Sequence, residues 1–450
     1  MRRGRTAAAV GAVAARVTTL RRGLAVGVSC ALLQTPMTAE AVMGGRLTGY
    51  QTDPQARAVI GSPSPRAAVA PRLVPGTYTD TIAPGDQKFY HVELDATSNA
   101  YLSAVLAPPP GRKVGAADGI RVSLVAPDGT ACGDRKDIVF GGSTSLPIAD
   151  YLTRRIGPGR ACQAEGRYLY SVEWIGPTSG SAAEWPIELK YMVEPGLKGG
   201  SAVPDAPVST HSHTPGHVGG DAEPVRGGSG FNDAATIGQG VSSDGIGRGE
   251  SRFYRVPLDW GQQLFVDAEF GGKEPPGRAV YDGVRITVFN TARGHVQDAD
   301  GDHRTRTTQV SLATEPVAFA NRSSDDDETR GMRFAGWYYI RVSADRAIPD
   351  DLPLILRVDI EGEPQGAPEY DGDPFPAGFG VLDKDRERAA SAAAGEGAAL
   401  DDDDDTRKAL LTVVGVAGIG LGTALVLGLL GWTALARLGL GRKRGRHASL

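Results

Sequence analysis

The sequence predicts an all-β protein: two tandem antiparallel β-sandwich domains of jelly-roll-like build, followed by one C-terminal transmembrane helix. Three observations carry that prediction. The line GDQKFYHVELD at residues 85–95 returns as GESRFYRVPLD at residues 249–259, an offset of 164. Segments in and around it alternate apolar and polar residues with period two. No stretch between residues 75 and 365 sustains helical periodicity for three turns.

The chain opens on MRRGRTAAAV, a second arginine pair at Arg21 and Arg22, the apolar run GLAVGVSCALL, and a small-x-small ending at Ala39 and Ala41. That is the order of a secretory signal, which places a signal peptide over 1–41. Residues 42–73 are rich in Ala, Pro, Gly and Arg and read as a flexible segment. Repeat one is expected over 74–196 and repeat two over 230–365. At the same offset YLSAVL (101–106) faces FVDAEF (265–270), and DGIRVSLV (118–125) faces DGVRITVF (282–289). Two further pairs follow with small shifts: GRYLYSVEW with GWYYIRVSA, and WPIELKY with LPLILRV. The order is kept, so the unit is a duplicated domain. Within it Tyr90, Val92 and Leu94 alternate with Phe89, His91 and Glu93, and Ile120, Val122 and Leu124 with Arg121 and Ser123. This is the pattern of strands with one wet face, joined by turn sequences such as APDGT and NTARG.

Between the repeats, 197–229 is a Gly/Pro/His linker, and 366–407 reads as an acidic stalk ending in the run Asp401, Asp402, Asp403, Asp404, Asp405,. Residues 409–436 carry no charge. As a helix they would span roughly 40 Å, more than a bilayer core needs, so a single membrane pass is expected over 408–436. Arg437, Arg442, Lys443, Arg444 and Arg446 form a basic tail over 437–450. Basic residues stay in the cytoplasm, which puts the ectodomain outside the cell membrane and the C-terminus inside. Gly418 and Gly422 have the spacing that lets two such helices self-associate.

The succession of a Gly-acidic turn, xFYxV, IRVSLVAPDG and GRYLYSV resembles the bacterial pre-peptidase C-terminal (PPC) domain. The resemblance covers both repeats and implies a jelly-roll-like accessory or binding module at the cell surface. The chain departs from that family's usual setting, since no catalytic domain accompanies the modules.

Net charge is −5, and no clustered basic face suits nucleic acid,. Cys132 and Cys162 are the only cysteines outside the leader. In an oxidising exterior they would close a disulfide, the alternative being two separate buried thiols. The familiar catalytic signatures are missing: no His-Glu-x-x-His, nucleophile elbow or P-loop,. Three weaker candidates remain. His211, His213 and His217 have metal-ligand residue types but sit in a Gly/Pro linker,. Asp298, Asp300 and Asp302, in DADGDH, alternate carboxylates as a Ca²⁺ loop does, with the acidic stretch at 325–328 as a further source, but they lack the EF-hand spacing,. The repeated Phe89-Tyr90 and Phe253-Tyr254 pairs place one ring in the core and one outside, making Tyr90 and Tyr254 candidates to stack on a sugar or anchor a partner. The sequence therefore points to a non-enzymatic surface protein that binds a protein or glycan partner without a resident cofactor. The alternative is an accessory subunit of a secretion or surface-proteolysis system.

Overall fold

The computed structural model describes residues 49–66, 69–109, 112–133, 135–142, 144–177, 183–199, 207, 220–273 and 279–395. The expected leader, the three linker histidines and the apolar run 408–436 lie outside them. Among the described residues no helix is long and apolar enough to cross a membrane.

The first repeat contributes β1 (Arg57–Ala58), β2 (Arg72–Leu73), β3 (Gly76–Ile82), β4 (Gln87–Leu94) and β5 (Asn99–Leu106). It continues with β6 (Gly119–Val125), β7 (Lys136–Val139), β8 (Ile148–Arg154), β9 (Gly166–Ile175) and β10 (Trp185–Glu194). The second repeat supplies β11 (Glu223–Pro224), β12 (Ala235–Thr236), β13 (Gly240–Ile246), β14 (Ser251–Leu258) and β15 (Gln263–Gly271). It is completed by β16 (Val280–Phe289), β17 (His295–His303), β18 (Thr307–Ala313), β19 (Gly336–Ala344) and β20 (Leu352–Glu361). Two short helices follow from the acidic stretches, α1 (Asp327–Gly331) and α2 (Asp383–Ala393).

The sheets run β1-β3-β10-β5-β8 and β2-β4-β9-β6-β7 in the first repeat. In the second they run β11-β13-β20-β15-β18 and β12-β14-β19-β16-β17, the same order strand for strand. Eight antiparallel strands in this order, plus a short parallel strand on one edge of each sheet, make each repeat a jelly roll,. The period-two pattern finds its reason here. Tyr90, Val92, Leu94, Ile120, Val122 and Leu124 all sit in the core between the first repeat's sheets.

The twice-written line turns out to be a latch. Tyr90 Oη donates to Asp80 Oδ2 at 2.7 Å, where the Gly61 amide also donates at 2.7 Å and Lys88 Nζ lies 3.7 Å from Oδ1. In the second repeat Tyr254 Oη donates to Asp244 Oδ2 at 2.7 Å, joined by the Gly227 amide at 2.8 Å and by Arg252 Nε 3.8 Å away. Each latch ties one sheet to the other and pins the segment entering the sandwich. A Cβ at Gly61 or Gly227 would sit 2.7 Å from the tyrosine ring, so both positions need glycine,. Burial pushes both phenols well above their ordinary range, with the neighbouring carboxylate adding to it, so they remain donors,.

Two expectations about connecting segments are corrected. Residues 49–73 are not loose: β1 and β2 extend the sheets, and the Tyr50 ring packs edge-on to Phe253 at 5.8 Å. The acidic region is likewise no solvated stalk up to residue 395. Tyr370 bridges to Leu197, Phe379 is buried, and α2 buries Ala389 and Ala392, with Ala389 against Gly238. Scattered aromatics in Ala/Gly/Pro-rich sequence have no period, which is why these straps do not show in the pattern.

Candidate functional site

The two jelly rolls do not present all the wet faces that alternation predicts. All eight residues of β5 are buried. Their outward side meets the second repeat: Val105 and Ala149 pack with Phe231, Phe253, Phe289 and Tyr339. Beside this patch the Tyr101 ring meets Phe334 edge-on at 5.2 Å and lies tilted against Phe379 at 5.4 Å.

Charged groups lock the seam. Glu194, fully buried at the end of β10, accepts from Asn99 Nδ2 (2.9 Å), Tyr101 Oη (2.7 Å), Tyr370 Oη (2.8 Å) and Arg322 Nη2 (3.0 Å). Burial alone would push its carboxyl up; the Arg322 guanidinium and the two phenols outweigh this and hold it below the ordinary range. Glu188 pairs with Arg293 in the β16–β17 turn, where Asn290 Oδ1 accepts the amides of Ala292 (3.1 Å) and Gly294 (3.0 Å). Arg293 adopts φ +64°, the left-handed region, at the position where the first repeat has Gly129 with φ +87°. An arginine there costs about 1–2 kcal/mol. In that conformation it places its guanidinium against Glu188. Gly294 is needed as well, because a Cβ would collide with the Tyr151 ring.

Two cavities open along the seam. One, of about 520 Å³, lies between the β6–β7 and β8–β9 connections of the first repeat and α1 with the segment after it in the second. The Cys132–Cys162 disulfide, as expected from the cysteine count, ties those first two connections together with Cα atoms 5.5 Å apart. Arg154 organises the same wall, donating to the carbonyls of Cys162 and Ser98, both at 2.7 Å. The lining holds seven basic side chains and two acids, Asp150 and Asp327, and both acids are already paired with Lys136 at 3.1 and 3.6 Å. The walls are thus strongly positive.

The second cavity, of about 480 Å³, continues past Lys136, Asp150 and His295 along β7, β16 and β17. Its floor holds Arg341, which bonds the Pro147 carbonyl and Thr287 Oγ1 (2.9 Å); burial, then the nearby Arg285, pushes it down to about 10. Tyr281 stands exposed at its rim.

The aromatic candidates fall elsewhere. Tyr90 and Tyr254 are fully buried latch residues, and Phe253 is buried too beneath Tyr50 and Phe231. No ring of the repeated pairs is free to stack on a sugar: the two tyrosines face the cores between the sheets, and Phe89 and Phe253 are buried as well. Asp298, Asp300 and Asp302 occupy one face of strand β17 rather than a loop. They are met by polar and basic partners: His295 at 3.0 Å from Asp298, Arg285 at 3.8 Å from Asp298 and Asp300, and Arg304 on Asp302. Burial, then Asp282, raises the Asp300 carboxyl. Among the described residues no group of three His, Cys, Asp or Glu side chains converges on a metal position. The cavity arginines have no period and no counterpart in the other repeat. Their only trace in the sequence is the unequal length of the β8–β9 and β18–β19 connections.

No protein-family model matches the chain, and no curated protein matches it. Among solved structures it is similar to the periplasmic g-type lysozyme inhibitor PliG of Aeromonas hydrophila, at 18% identity over 31% of this chain and 96% of that one, TM-score 0.18. It is also similar to the tandem CBM51 modules of a family 98 glycoside hydrolase from Streptococcus pneumoniae, at 7% identity over 63% and 83% of the two chains, TM-score 0.16. A third is the CBM22 tandem of Paenibacillus barcinonensis Xyn10C, at 9% identity over 70% and 100%, TM-score 0.18. Likenesses this distant carry no functional weight, and the seam is read from its own chemistry.

Proposed function

We propose that the chain is a non-catalytic, membrane-anchored cell-surface binding protein whose two jelly rolls form one receptor and engage an envelope partner in the cleft between them. One observation carries this reading: the connections that differ most between the repeats, β8–β9 and β18–β19, meet at the seam and line its larger cavity. Shared residues maintain the fold, as the Asp-Tyr latch does, whereas unshared ones gather where a ligand has room. The cavity volumes lie in the range of small-molecule sites,. The leader and the uncharged run 409–436 in the sequence support the surface placement.

The test places a photoreactive phenylalanine analogue at Tyr281 or at Arg160, both facing the cleft, and at Arg167 on the open sheet face as control. Irradiation of cells carrying the full chain is expected to give one shared adduct from both cleft positions and none from Arg167. An adduct from Arg167 alone would defeat the reading.

A further inference from the structure

The basic cavity narrows the ligand's chemistry. Arg155 and Arg160 approach it from the β8–β9 connection, Arg330 from α1 and Arg333 from the turn after it. Arg330 is satisfied by Asp327 and the Ser324 carbonyl. Arg155 has one guanidinium nitrogen on the Arg322 carbonyl. Arg333 is nearly inaccessible, gives Nε to the Arg330 carbonyl at 2.6 Å, and leaves Nη1 buried with no hydrogen-bond partner. Burial, then the charges of Arg333, Arg160 and Arg330, pushes the Arg155 guanidinium down to about 10,.

We propose that this cavity is a subsite for a phosphoryl group, either free phosphate or a phosphate ester on an envelope polymer, held by Arg155, Arg160 and Arg333. It rests on the cleft reading above and assigns the chemistry of that site. Planar guanidiniums match the oxygens of phosphate in pairs. A carboxylate brings one negative charge to a site with several uncommitted cations; a phosphate monoester brings close to two and three acceptor oxygens. The buried Nη1 of Arg333 is the donor such an oxygen would satisfy. Like charges gathered on a rigid wall destabilise the folded state unless something else benefits, and an anionic ligand is that benefit.

Calorimetric titration of the full chain in detergent tests this at constant ionic strength, set with NaCl, using inorganic phosphate, glycerol 3-phosphate and glucuronate. Phosphate and its ester are expected to bind one per chain, and glucuronate at least tenfold more weakly. The better binder of the first two tells whether the group is used free or as an ester. Arg160 is exposed, so Arg160→Glu leaves the fold intact; it should weaken phosphate at least tenfold, whereas Arg160→Lys should stay within about threefold. Arg155→Gln should behave as Arg160→Glu does. Phosphate heats no different from NaCl, binding unchanged in Arg160→Glu, or glucuronate binding as tightly as phosphate would each overturn the proposal. If phosphate fails while the photoadduct at Tyr281 persists, the phosphoryl assignment falls and the cleft reading stands; the reverse result sinks the cleft reading alone.

Discussion

Replacing Glu194 probes whether the two jelly rolls and the C-terminal strap fold as one unit. Its carboxylate is wholly buried and accepts hydrogen bonds from four side chains: two of its own repeat, Arg322 in the second and Tyr370 in the strap. Glu194→Ala leaves the mostly buried Arg322 without its counterion, a situation that typically costs about 3–5 kcal/mol. Glu194→Gln keeps the volume but loses the charge, so about 1.5–3 kcal/mol is expected from its hydrogen bond to Arg322. Removing both charges in Glu194→Ala with Arg322→Met should recover roughly 2 kcal/mol relative to the sum of the single losses. Urea unfolding of the full chain in detergent, followed by tryptophan fluorescence, measures all three. The linkage has a definite sign. A carboxyl held below its ordinary range in the fold stabilises above that range and loses the contribution as pH falls through the folded value,. A loss below about 1 kcal/mol for Glu194→Ala, or strict additivity in the double variant, would refute the coupling.

Two further outcomes follow from the seam. Reducing the Cys132–Cys162 bridge, or replacing both cysteines by serine, removes a cross-link over a sequence separation of 30 and should cost about 3–4 kcal/mol, read as a lowered melting temperature with reductant,. Lys190, partly buried at the seam, is pushed down to about 7 by burial and by Arg293, against the pull of Glu188 and Asp53. A lysine depressed in the fold binds fewer protons there than when unfolded, so its contribution to stability should rise as pH climbs from about 7 towards its ordinary value of 10.5,. Melting curves between pH 6 and about 10 should show that slope, and Lys190→Met should flatten it.

The jelly rolls were legible because their packing residues recur. Tyr90 and Tyr254, Asp80 and Asp244, and the core faces of β6 and β16 all keep the offset of 164. The latch itself could have been read from the paired aspartates, since GTYTD and GVSSD stand in register before each Phe-Tyr. Alternation misjudged the outer faces because it records which side chains avoid water and not what covers them. Val105 looks like any strand valine until Phe231 and Phe289 close over it. The straps escaped for a related reason: Tyr50, Tyr370 and Phe379 are single aromatics in segments whose composition favours coil. The basic cavity is harder still, for its arginines come from connections distant in sequence.

The asymmetry between Gly129 and Arg293 bears on how many copies such an array can hold. A face of one repeat docking on a different face of the next is a head-to-tail contact, and such contacts propagate without limit unless something ends the series. Here both halves of the ionic lock are singular. Arg293 exists only in the second copy, and the residue of the second copy in register with Glu188 is Ile355. Where the first copy offers Val105, the second offers Glu269, held with Asp267 by Arg357 at 2.9 Å. A third jelly roll would find neither a carboxylate for its arginine nor an apolar patch for its aromatics. The two exchanges on that face, Ile355 for Glu188 and Glu269 for Val105, leave the second copy without the docking surface that the first one offers.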